Sequence, residues 1–385
     1  MNRFAAPGRL ARLGIPVLRW YGRRLAGASS PLIVNLCLTR HCNFRCDHCY
    51  VPHEDSIGNM PWALYTGILR QLRSMRTAYL YLSGGEPLLL PDLEERIRLA
   101  KQVVPYVHLV TNGFLLDSSR AISLARAGVD LVSLSLDGDQ ETHDAVRNQP
   151  GSYRRVLNAL ALLSRQNPPV TCQIVTQAAP WNVDQLEYLA RLTDGLAFEL
   201  RITAHVAYPR LADPEPARRW RETITEASIE RLQEALDRFQ AHYGRPYDPF
   251  LRLMPGYYRR LRDGSDFGDE LFTRPCPVPL FYVNILEDGE VFACPGMKSS
   301  LYPGTGTDYG SFSCARQSLA DVFGSEGYRS MQRALRDCAA CRDYLASCYV
   351  RPRLHFPLGN LIRYRLVPTW TRRGRGLSRP DGCGD

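Results

Sequence analysis

The stretch Cys42-Asn43-Phe44-Arg45-Cys46-Asp47-His48-Cys49 decides how the rest of this 385-residue chain is interpreted. It places three thiols in one short loop directly after a β-branched run at 32–37. Three thiolates can share one metal centre, whereas structural zinc usually takes four ligands in paired spacings. A four-iron cluster held by three cysteines keeps one iron open for another ligand, which makes the missing fourth cysteine a functional feature. A zinc loop completed by His41 or His48, and cysteines without metal, are the alternatives.

The composition indicates a folded, multidomain protein. With 45% apolar and 23% charged residues, the chain can bury a core, and disorder, collagen and coiled coil are excluded. No apolar run is long enough for a spanning helix or a signal peptide, so we expect a cytoplasmic protein. That compartment keeps thiols reduced, so the twelve cysteines are interpreted first as ligands. Cys37 and Cys172 fall inside predicted strands and are expected in the core.

The net charge of +9 belongs to the two ends of the chain. Residues 1–30 contain six arginines and no acid, and residues 351–385 contain eight arginines and two aspartates. The segment between them therefore has a small negative net charge, which argues against a nucleic-acid partner. The arginines and apolar residues at 4–25 suit weak contact with an anionic membrane surface, and an arm that packs on the barrel or is disordered is the alternative.

Residues 31–205 alternate between short β-branched runs and longer helical patterns, which is typical of βα units on a parallel sheet. The predicted strands are 32–37, 78–82, 107–111, 131–136, 170–176 and 197–202. The predicted helices between them are 93–104, 118–127, 153–166 and 183–192. Six units are too few for a closed eight-stranded barrel, so we expect a partial barrel with its chemistry at the carboxyl ends of the strands.

The strand ends carry further motifs in register with the cysteine loop. Ser83-Gly84-Gly85-Glu86-Pro87 follows the second strand, Thr111-Asn112-Gly113 ends the third, and Ser133–Gly138 ends the fourth, with His143 and Arg147 beyond it. With the CxxxCxxC loop, this set resembles the radical S-adenosylmethionine (SAM) enzymes. The resemblance implies a partial (β/α)6 barrel and a [4Fe-4S] cluster on Cys42, Cys46 and Cys49 that chelates SAM.

By the same resemblance, several residues are expected to contact SAM. The GGEP loop would contact the amino group of SAM, and Asn112 would lie on the side of its ribose. Ser135 and Asp137 belong to the segment that would bind polar groups of SAM. Arg147 would bind the SAM carboxylate. The residue types suit these roles, since glycines admit close backbone approach and an arginine fork suits a carboxylate. His48 is a candidate adenine-side contact, with solvent exposure as the alternative. The expected contacts are Gly84, Gly85, Glu86, Asn112, Ser135, Asp137, Arg147 and His48.

A second group of cysteines surrounds a predicted hairpin at 281–285 and 290–293, which lies between Cys276 and Cys294. Its spacing resembles the SPASM and Twitch auxiliary-cluster domains and implies at least one further [4Fe-4S] cluster. The ligand candidates are Cys276, Cys294, Cys338, Cys341 and Cys348, of which the first four fit the Twitch pattern. Cys348, Cys314 and Cys383 could complete a second site, and a zinc ribbon is the alternative for the whole group. A full SPASM pattern is doubtful because Pro352 stands at a ligand position.

Together these patterns predict five segments. They are a basic arm at 1–30, the radical SAM core at 31–205, a connecting helix (217–241) and linker (244–275) within 206–275, a SPASM/Twitch-like domain at 276–350 and a basic tail at 351–385.

The implied activity is reductive cleavage of SAM to a 5′-deoxyadenosyl radical that abstracts hydrogen from a substrate, with flavodoxin or ferredoxin as reductant. Oxidation or rearrangement of a small biosynthetic intermediate, with the auxiliary cluster as electron acceptor, is favoured over maturation of a ribosomal peptide. A non-enzymatic zinc-binding module is a more distant alternative. Because Pro295 follows Cys294, the aspartate of sulfatase-maturing relatives cannot be transferred to this chain.

Overall fold

The computed structural model describes residues 7–25, 27, 30–46, 48–49, 58–179, 182–196, 198–204, 224–243, 249–265, 278–293 and 312–334, with side chains from residue 14 onward except at 242, 243, 249 and 334. Among these residues, no helix has both the length and the apolar character needed to cross a bilayer. The expected auxiliary ligands Cys276, Cys294, Cys338, Cys341 and Cys348, together with Cys383 and the basic tail, lie outside the described residues.

Six parallel strands lie side by side in chain order, as the sequence pattern predicted. This order puts the carboxyl ends of all six strands on one edge of the sheet. The α/β partial-barrel fold is thus confirmed, and each strand begins within two residues of its predicted start. The strands are β1 (Ile33–Thr39), β2 (Tyr79–Gly84), β3 (Tyr106–Thr111), β4 (Leu131–Ser135), β5 (Cys172–Ala178) and β6 (Glu199–Ala204).

Helices cover one face of this sheet and bury its apolar side chains. On β1, for example, Val34, Leu36 and Leu38 are fully buried in the core, and Asn35 points to the other, concave face. Cys172 is also in the core, as expected. The helices are α1 (Pro7–Leu25), α2 (Trp62–Met75), α3 (Leu93–Lys101), α4 (Ser118–Ala127), α5 (Gln140–Val146), α6 (Ser152–Ser164), α7 (Leu186–Leu196), α8 (Glu226–Tyr243), α9 (Pro249–Asp263), α10 (Val278–Phe281), α11 (Leu319–Gly324) and α12 (Glu326–Ala334).

Helix α9 corrects the prediction of a linker at 244–275. Phe250, Met254, Tyr257 and Tyr258 are fully buried, at the spacing of one helical face. The Tyr258 hydroxyl donates a hydrogen bond to the carbonyl oxygen of Ala178 at the end of β5. The proline, glycine and tyrosine content suggested a loop, but tertiary burial of this apolar face outweighs low helix propensity.

Helix α1 shows that part of the basic arm packs on the barrel. Trp20 is 5% exposed and donates from Nε1 to the carbonyl oxygen of Ser30 at 2.8 Å. It packs with Leu32 and Ala78, which directly precede β1 and β2, and with Phe281. The helix therefore lies at the amino-terminal end of the strands, opposite the cysteine loop.

The predicted hairpin is present and extends the same sheet. Strand β7 (Tyr282–Ile285) pairs in parallel with β1 and antiparallel with β8 (Glu290–Phe292), and β9 (Phe312–Ser313) follows on the outside. Gly289 in the turn has a φ of +89°, and an added Cβ would lie 2.9 Å from the nitrogen of Ala315. The hairpin thus joins the edge of the barrel next to the strand that leads into the cysteine loop, a placement that the sequence did not reveal.

A buried ion pair ties this hairpin to the cysteine loop. Arg40 stands just after β1, and its Nε lies 2.8 Å from the carboxylate of Glu287 in the hairpin turn. The two side chains are only 4% and 5% exposed. Cys37 lies beside the same carboxylate, at 3.8 Å from Sγ to Oε2. Removal of one partner would leave the other charge buried without compensation.

We expect Glu287→Gln to lower the free energy of unfolding by about 3–5 kcal/mol, the cost of breaking a buried pair on one side. The double variant Arg40→Met/Glu287→Leu should recover part of this loss because no uncompensated charge remains. Urea denaturation of the wild-type protein, Glu287→Gln and the double variant measures both effects. Equal destabilisation by the single and double variants would contradict the role of the pair.

Candidate active site at the carboxyl edge of the sheet

The cysteine loop leaves β1 at the carboxyl edge of the sheet. Cys42 and Cys49 are half-buried and Cys46 is buried, and Cys49 N donates to the oxygen of Cys46 at 3.0 Å, which closes a turn. Phe44, the one large apolar residue between the cysteines, is 2% exposed and packs edge-on against Phe114 with ring centroids 5.4 Å apart. Phe44 therefore anchors the middle of the loop to the end of β3.

Gly84 and Gly85 touch the backbone of the cysteine loop. Gly85 N donates to the oxygen of Thr39 at 2.7 Å, and Glu86 N donates to the oxygen of His41 at 2.8 Å. A Cβ on Gly84, whose φ is +143°, would lie 2.1 Å from the oxygen of Thr39, and one on Gly85 would lie 2.2 Å from that of His41. Neither position has room for a side chain, so this pair of glycines sets the path of the loop that carries Cys42.

Glu86 is fully buried and its carboxylate ties three segments together. It accepts hydrogen bonds from Thr111 Oγ1 at 2.6 Å, from Asn112 N at 2.7 Å and from Leu88 N at 3.0 Å. Burial raises the pKa of Glu86, and these donors oppose that shift by favouring the ionised form. In this structure the carboxylate binds the ends of β2 and β3 to each other.

Asn112 links β3 to the cysteine loop. Its Nδ2 donates to Oδ1 of Asn43 at 2.9 Å, and its Oδ1 accepts from Phe114 N at 3.0 Å. Ser135 ends β4 and is half-buried on the same edge. The motif residues of β2, β3 and β4 are thus brought to one end of the sheet, as the sequence predicted.

Asp137 and Arg147 form a buried ion pair beside the loop. Arg147 Nε and Nη2 lie 2.7 and 2.6 Å from Oδ2 of Asp137, and Gln177 N donates to Oδ1 at 3.1 Å. Burial by itself raises the pKa of Asp137, but Arg147, the neighbouring His143 and His48 and the hydrogen bond from Gln177 N together outweigh it and leave the pKa below its usual range. The guanidinium of Arg147 also lies near Cys46, where its positive charge opposes the rise that burial causes in the pKa of this thiol. Asp137 thereby holds a cation next to one of the three thiols.

Two histidines complete this cluster in their neutral form. His143 is 1% exposed, and its Nδ1 accepts a hydrogen bond from Asp137 N at 3.1 Å. Burial lowers the pKa of His143 to about 4, although Asp137 opposes the shift. Burial and the charge of Arg147 also lower the pKa of His48 to about 4. His48 is half-buried near Asp137 and Arg147, so the alternative of a solvent-exposed side chain is wrong.

The donor set fits an iron–sulfur cluster. Phe44 N donates to Sγ of Cys42 at 3.4 Å, and the positive charge of Arg147 lies near Cys46; both interactions stabilise a thiolate. Burial raises the pKa of Cys42 and of Cys46, so cluster binding has to displace their protons. As they stand in the described part of the chain, no three Cys, His, Asp or Glu side chains are gathered closely enough to hold a metal ion.

The other described cysteines have structural surroundings. Cys314 is buried, and its thiol donates to the oxygen of Gly289 at 3.2 Å. Burial raises the pKa of Cys314 and of Cys172 to about 12. Cys37 is 9% exposed and donates to the oxygen of Thr39 at 3.4 Å. These contacts make Cys314 part of the hairpin packing and confirm that Cys37 and Cys172 are buried.

Comparison with known families agrees with the geometry of this edge. Residues 36–193 match the model of the Radical SAM superfamily. This segment is a radical SAM domain. The superfamily binds a [4Fe-4S] cluster and SAM, and the matched residues include the cysteine loop and the Asp137–Arg147 pair.

Curated relatives of the radical SAM domain are enzymes of several kinds. The chain is 31% identical over 187 residues to the pre-heme d1 synthase of Dinoroseobacter shibae, which is 48% of this chain and 46% of that protein. It is 28% identical over 183 residues to the PqqA peptide cyclase of Gluconobacter oxydans, which is 47% of this chain and 51% of that protein. It is also 28% identical over 144 residues to the sporulation killing factor maturation protein SkfB of Bacillus subtilis, which is 36% of this chain and 34% of that protein. The matched part thus spans about half or less of each relative.

Solved structures share the fold over more of the chain than the radical SAM domain alone. Streptococcus suis SuiB bound to S-adenosylmethionine aligns with a TM-score of 0.57 at 15% identity, covering 82% of this chain and 72% of that one. Native anSMEcpe with bound AdoMet aligns with a TM-score of 0.57 at 17% identity, and the alignment covers 87% of this chain and 97% of that one. At such identities the likeness shows the fold.

Gly85→Ala is expected to abolish most iron incorporation into the radical SAM domain, because its Cβ would lie 2.2 Å from a backbone oxygen of the cysteine loop. The measurement is iron per chain after anaerobic reconstitution. Gly195→Ala, in α7 with no atom within 4 Å of the added Cβ, is the matched control. Normal iron content in Gly85→Ala would show that the glycine pair does not set the loop.

Acid should weaken the fold through His143. Its pKa is about 4 in the folded protein and about 6.5 when unfolded. The unfolded state therefore binds more protons between these values, and stability is lost as pH falls through that window. We expect a loss of about 2 kcal/mol between pH 7 and pH 5, measured by urea denaturation of the metal-free protein. His143→Asn, which keeps an acceptor for Asp137 N, should remove that part of the pH dependence; an unchanged slope would exclude His143 as its source.

Proposed function

We propose that this chain is a radical SAM enzyme whose catalytic cluster is held by Cys42, Cys46 and Cys49. The observation that supports it best is the placement of the thiol loop, which is clamped between the Gly84-Gly85 backbone and the Asp137–Arg147 pair at the carboxyl edge of the sheet. When bound, the reduced [4Fe-4S] cluster and SAM supply a 5′-deoxyadenosyl radical that abstracts hydrogen from the substrate.

The residues of this edge have two roles in the proposal. Glu86, Asn112 and Asp137 already use their polar atoms to tie the strand ends, so they act mainly by positioning the loop and Arg147. We expect SAM to contact Ser135, the glycine pair and Arg147, with the Arg147 guanidinium bound to the SAM carboxylate. His48, beside Arg147, remains a proposed contact on the adenine side.

The substrate is proposed to be a small, polar biosynthetic intermediate that is oxidised or rearranged. Support comes from the concave face of the sheet, where His108 Nε2 lies 2.5 Å from Ser133 Oγ and Nδ1 lies 2.8 Å from the hydroxyl of Tyr79. Gln173 also donates to Ser133, at 2.5 Å. His108, Ser133 and Gln173 are almost fully buried and bond to one another, so this face is polar and preorganised, which suits a ligand that is rich in hydrogen-bonding groups.

Peptide maturation is the second candidate. It is favoured by the PqqA peptide cyclase and SkfB among the relatives, and by the alignment with SuiB bound to its precursor peptide SuiA at a TM-score of 0.58 and 16% identity. A peptide side chain can present the same hydrogen-bonding groups to the concave face as a free metabolite.

An auxiliary [4Fe-4S] cluster on Cys276, Cys294, Cys338 and Cys341 is part of the proposal, with Cys348 as a further candidate ligand. The hairpin that lies between Cys276 and Cys294 supports it, because β7 pairs directly with β1 at the edge of the barrel. This cluster would accept the electron of the substrate radical, and flavodoxin or ferredoxin would supply the reducing electron.

Anaerobically reconstituted protein is expected to contain about eight irons per chain and to form 5′-deoxyadenosine from SAM under reducing conditions. Cys42→Ala/Cys46→Ala/Cys49→Ala should lose about four irons and all 5′-deoxyadenosine formation, with Cys172→Ala, a buried core thiol, as the control. Zinc in place of iron, with no 5′-deoxyadenosine, would support the zinc-module alternative.

The same assay separates the two substrate classes. Low-mass and peptide fractions of a cell extract are added separately, and the rate of 5′-deoxyadenosine formation is measured. Stimulation by the low-mass fraction alone is expected for a metabolite. Stimulation by the peptide fraction alone would instead support the maturase candidate.

A further inference from the structure

Helix α1 has an outer face that is unusual for a helix on a protein surface. Ile15, Leu18 and Leu25 are 55%, 69% and 89% exposed, and Gly22 is exposed between them. Their spacing of three, four and three residues forms one stripe along the helix. Trp20 faces the opposite way, into the barrel. The side of α1 turned away from the barrel therefore carries three large apolar side chains next to exposed Arg19, where mostly charged residues would be expected.

Three arginines flank this stripe around an open cavity. Arg19 and Arg23 are one helical turn apart on α1, and Ser74 and Arg76 stand at the carboxyl end of α2. With Gly22 they line a space of about 680 Å³. Within the described residues, none of the three guanidinium groups has an acidic partner or a side-chain hydrogen bond.

The surroundings of these arginines favour an anion. Residues 1–30 contain no acidic residue, so α1 brings no charge that could neutralise them. Arg76 is held in the left-handed region at φ +56°, where it caps α2, a conformation that is uncommon for a residue with a side chain. Guanidinium groups bind phosphate oxygens through pairs of hydrogen bonds.

We propose that α1 binds the surface of an anionic phospholipid bilayer. Ile15, Leu18 and Leu25 enter the boundary between headgroups and acyl chains, and Arg19, Arg23 and Arg76 hold headgroup phosphates. A bilayer is the one partner that offers an apolar layer directly beneath a layer of phosphates. Nucleic acid would leave the apolar stripe unpaired, and a second copy of α1 would bring two arginine flanks together.

The position of α1 makes this contact compatible with the rest of the molecule. The helix is fixed by Trp20 at the amino-terminal end of β1 and β2, and the cysteine loop leaves the carboxyl end of β1. A bilayer against α1 thus leaves the carboxyl edge free. The proposal does not depend on the reaction that the other edge catalyses.

Flotation of the full-length protein with vesicles tests the proposal. The protein should float with vesicles of phosphatidylcholine and phosphatidylglycerol at low salt, and remain at the bottom with phosphatidylcholine alone. Arg19→Gln/Arg23→Gln/Arg76→Gln should lower the partition coefficient roughly fivefold per arginine, or about 100-fold in total. The control removes three exposed arginines elsewhere, Arg98→Gln/Arg126→Gln/Arg165→Gln, and should change it far less.

A second pair of variants tests the apolar stripe. Leu18→Glu should abolish flotation, and Leu196→Glu, at a leucine that is 45% exposed on α7, should not. Iron content and thermal unfolding of each variant confirm that it is folded. Equal flotation of the variants and their controls, binding to neutral vesicles, or retention on nucleic acid or an acidic protein without vesicle binding would each overturn the proposal.

Discussion

The close contact between the glycine pair of β2 and the backbone that leaves β1 is the constraint on which the active-site edge depends. Gly85 N and Glu86 N bind the oxygens of Thr39 and His41, at distances that exclude any Cβ. The carboxylate of Glu86 then reaches the start of the loop after β3. Three strand ends are thus joined around one point, and the cysteine loop has a single path away from the sheet.

The second support of the loop is electrostatic. Asp137, fully buried, keeps Arg147 near the Cys46 thiol, and the backbone N of Asp137 donates to neutral His143. A buried arginine and aspartate are costly to desolvate, so this pair persists only because its geometry and added hydrogen bonds compensate. The arrangement places a fixed positive charge beside the thiols that the proposed cluster needs. Each of the three side chains is held in place by a hydrogen bond or ion pair with another member of the group.

The two ends of the sheet have different chemistry. The carboxyl edge carries polar side chains held by buried hydrogen bonds, and the hairpin of β7 and β8 is locked to it by Arg40 and Glu287. The amino-terminal end is closed by Trp20 of α1, whose outer face is apolar and flanked by arginines. One helix thus combines packing on the barrel with a surface that suits a bilayer, so the two expectations for the basic arm are compatible.

The sequence by itself determined the six parallel strands, the edge that carries the motifs and the thiol loop, because β-branched periodicity and short spacings are local properties. The linker at 244–275 was predicted wrongly, since the helix at 249–263 is stabilised by packing on α8 and by contacts with the distant strands β5 and β6. Phe44 could have been noticed as the apolar residue within the cysteine loop, but its partner Phe114 could not. Only the tertiary structure decided that Gly84 and Gly85 contact the backbone that follows β1, and that Asp137 holds Arg147. It also decided that β7 pairs with β1 and that α1 exposes apolar side chains. These features depend on contacts between residues far apart in the chain, and such contacts follow from how elements pack.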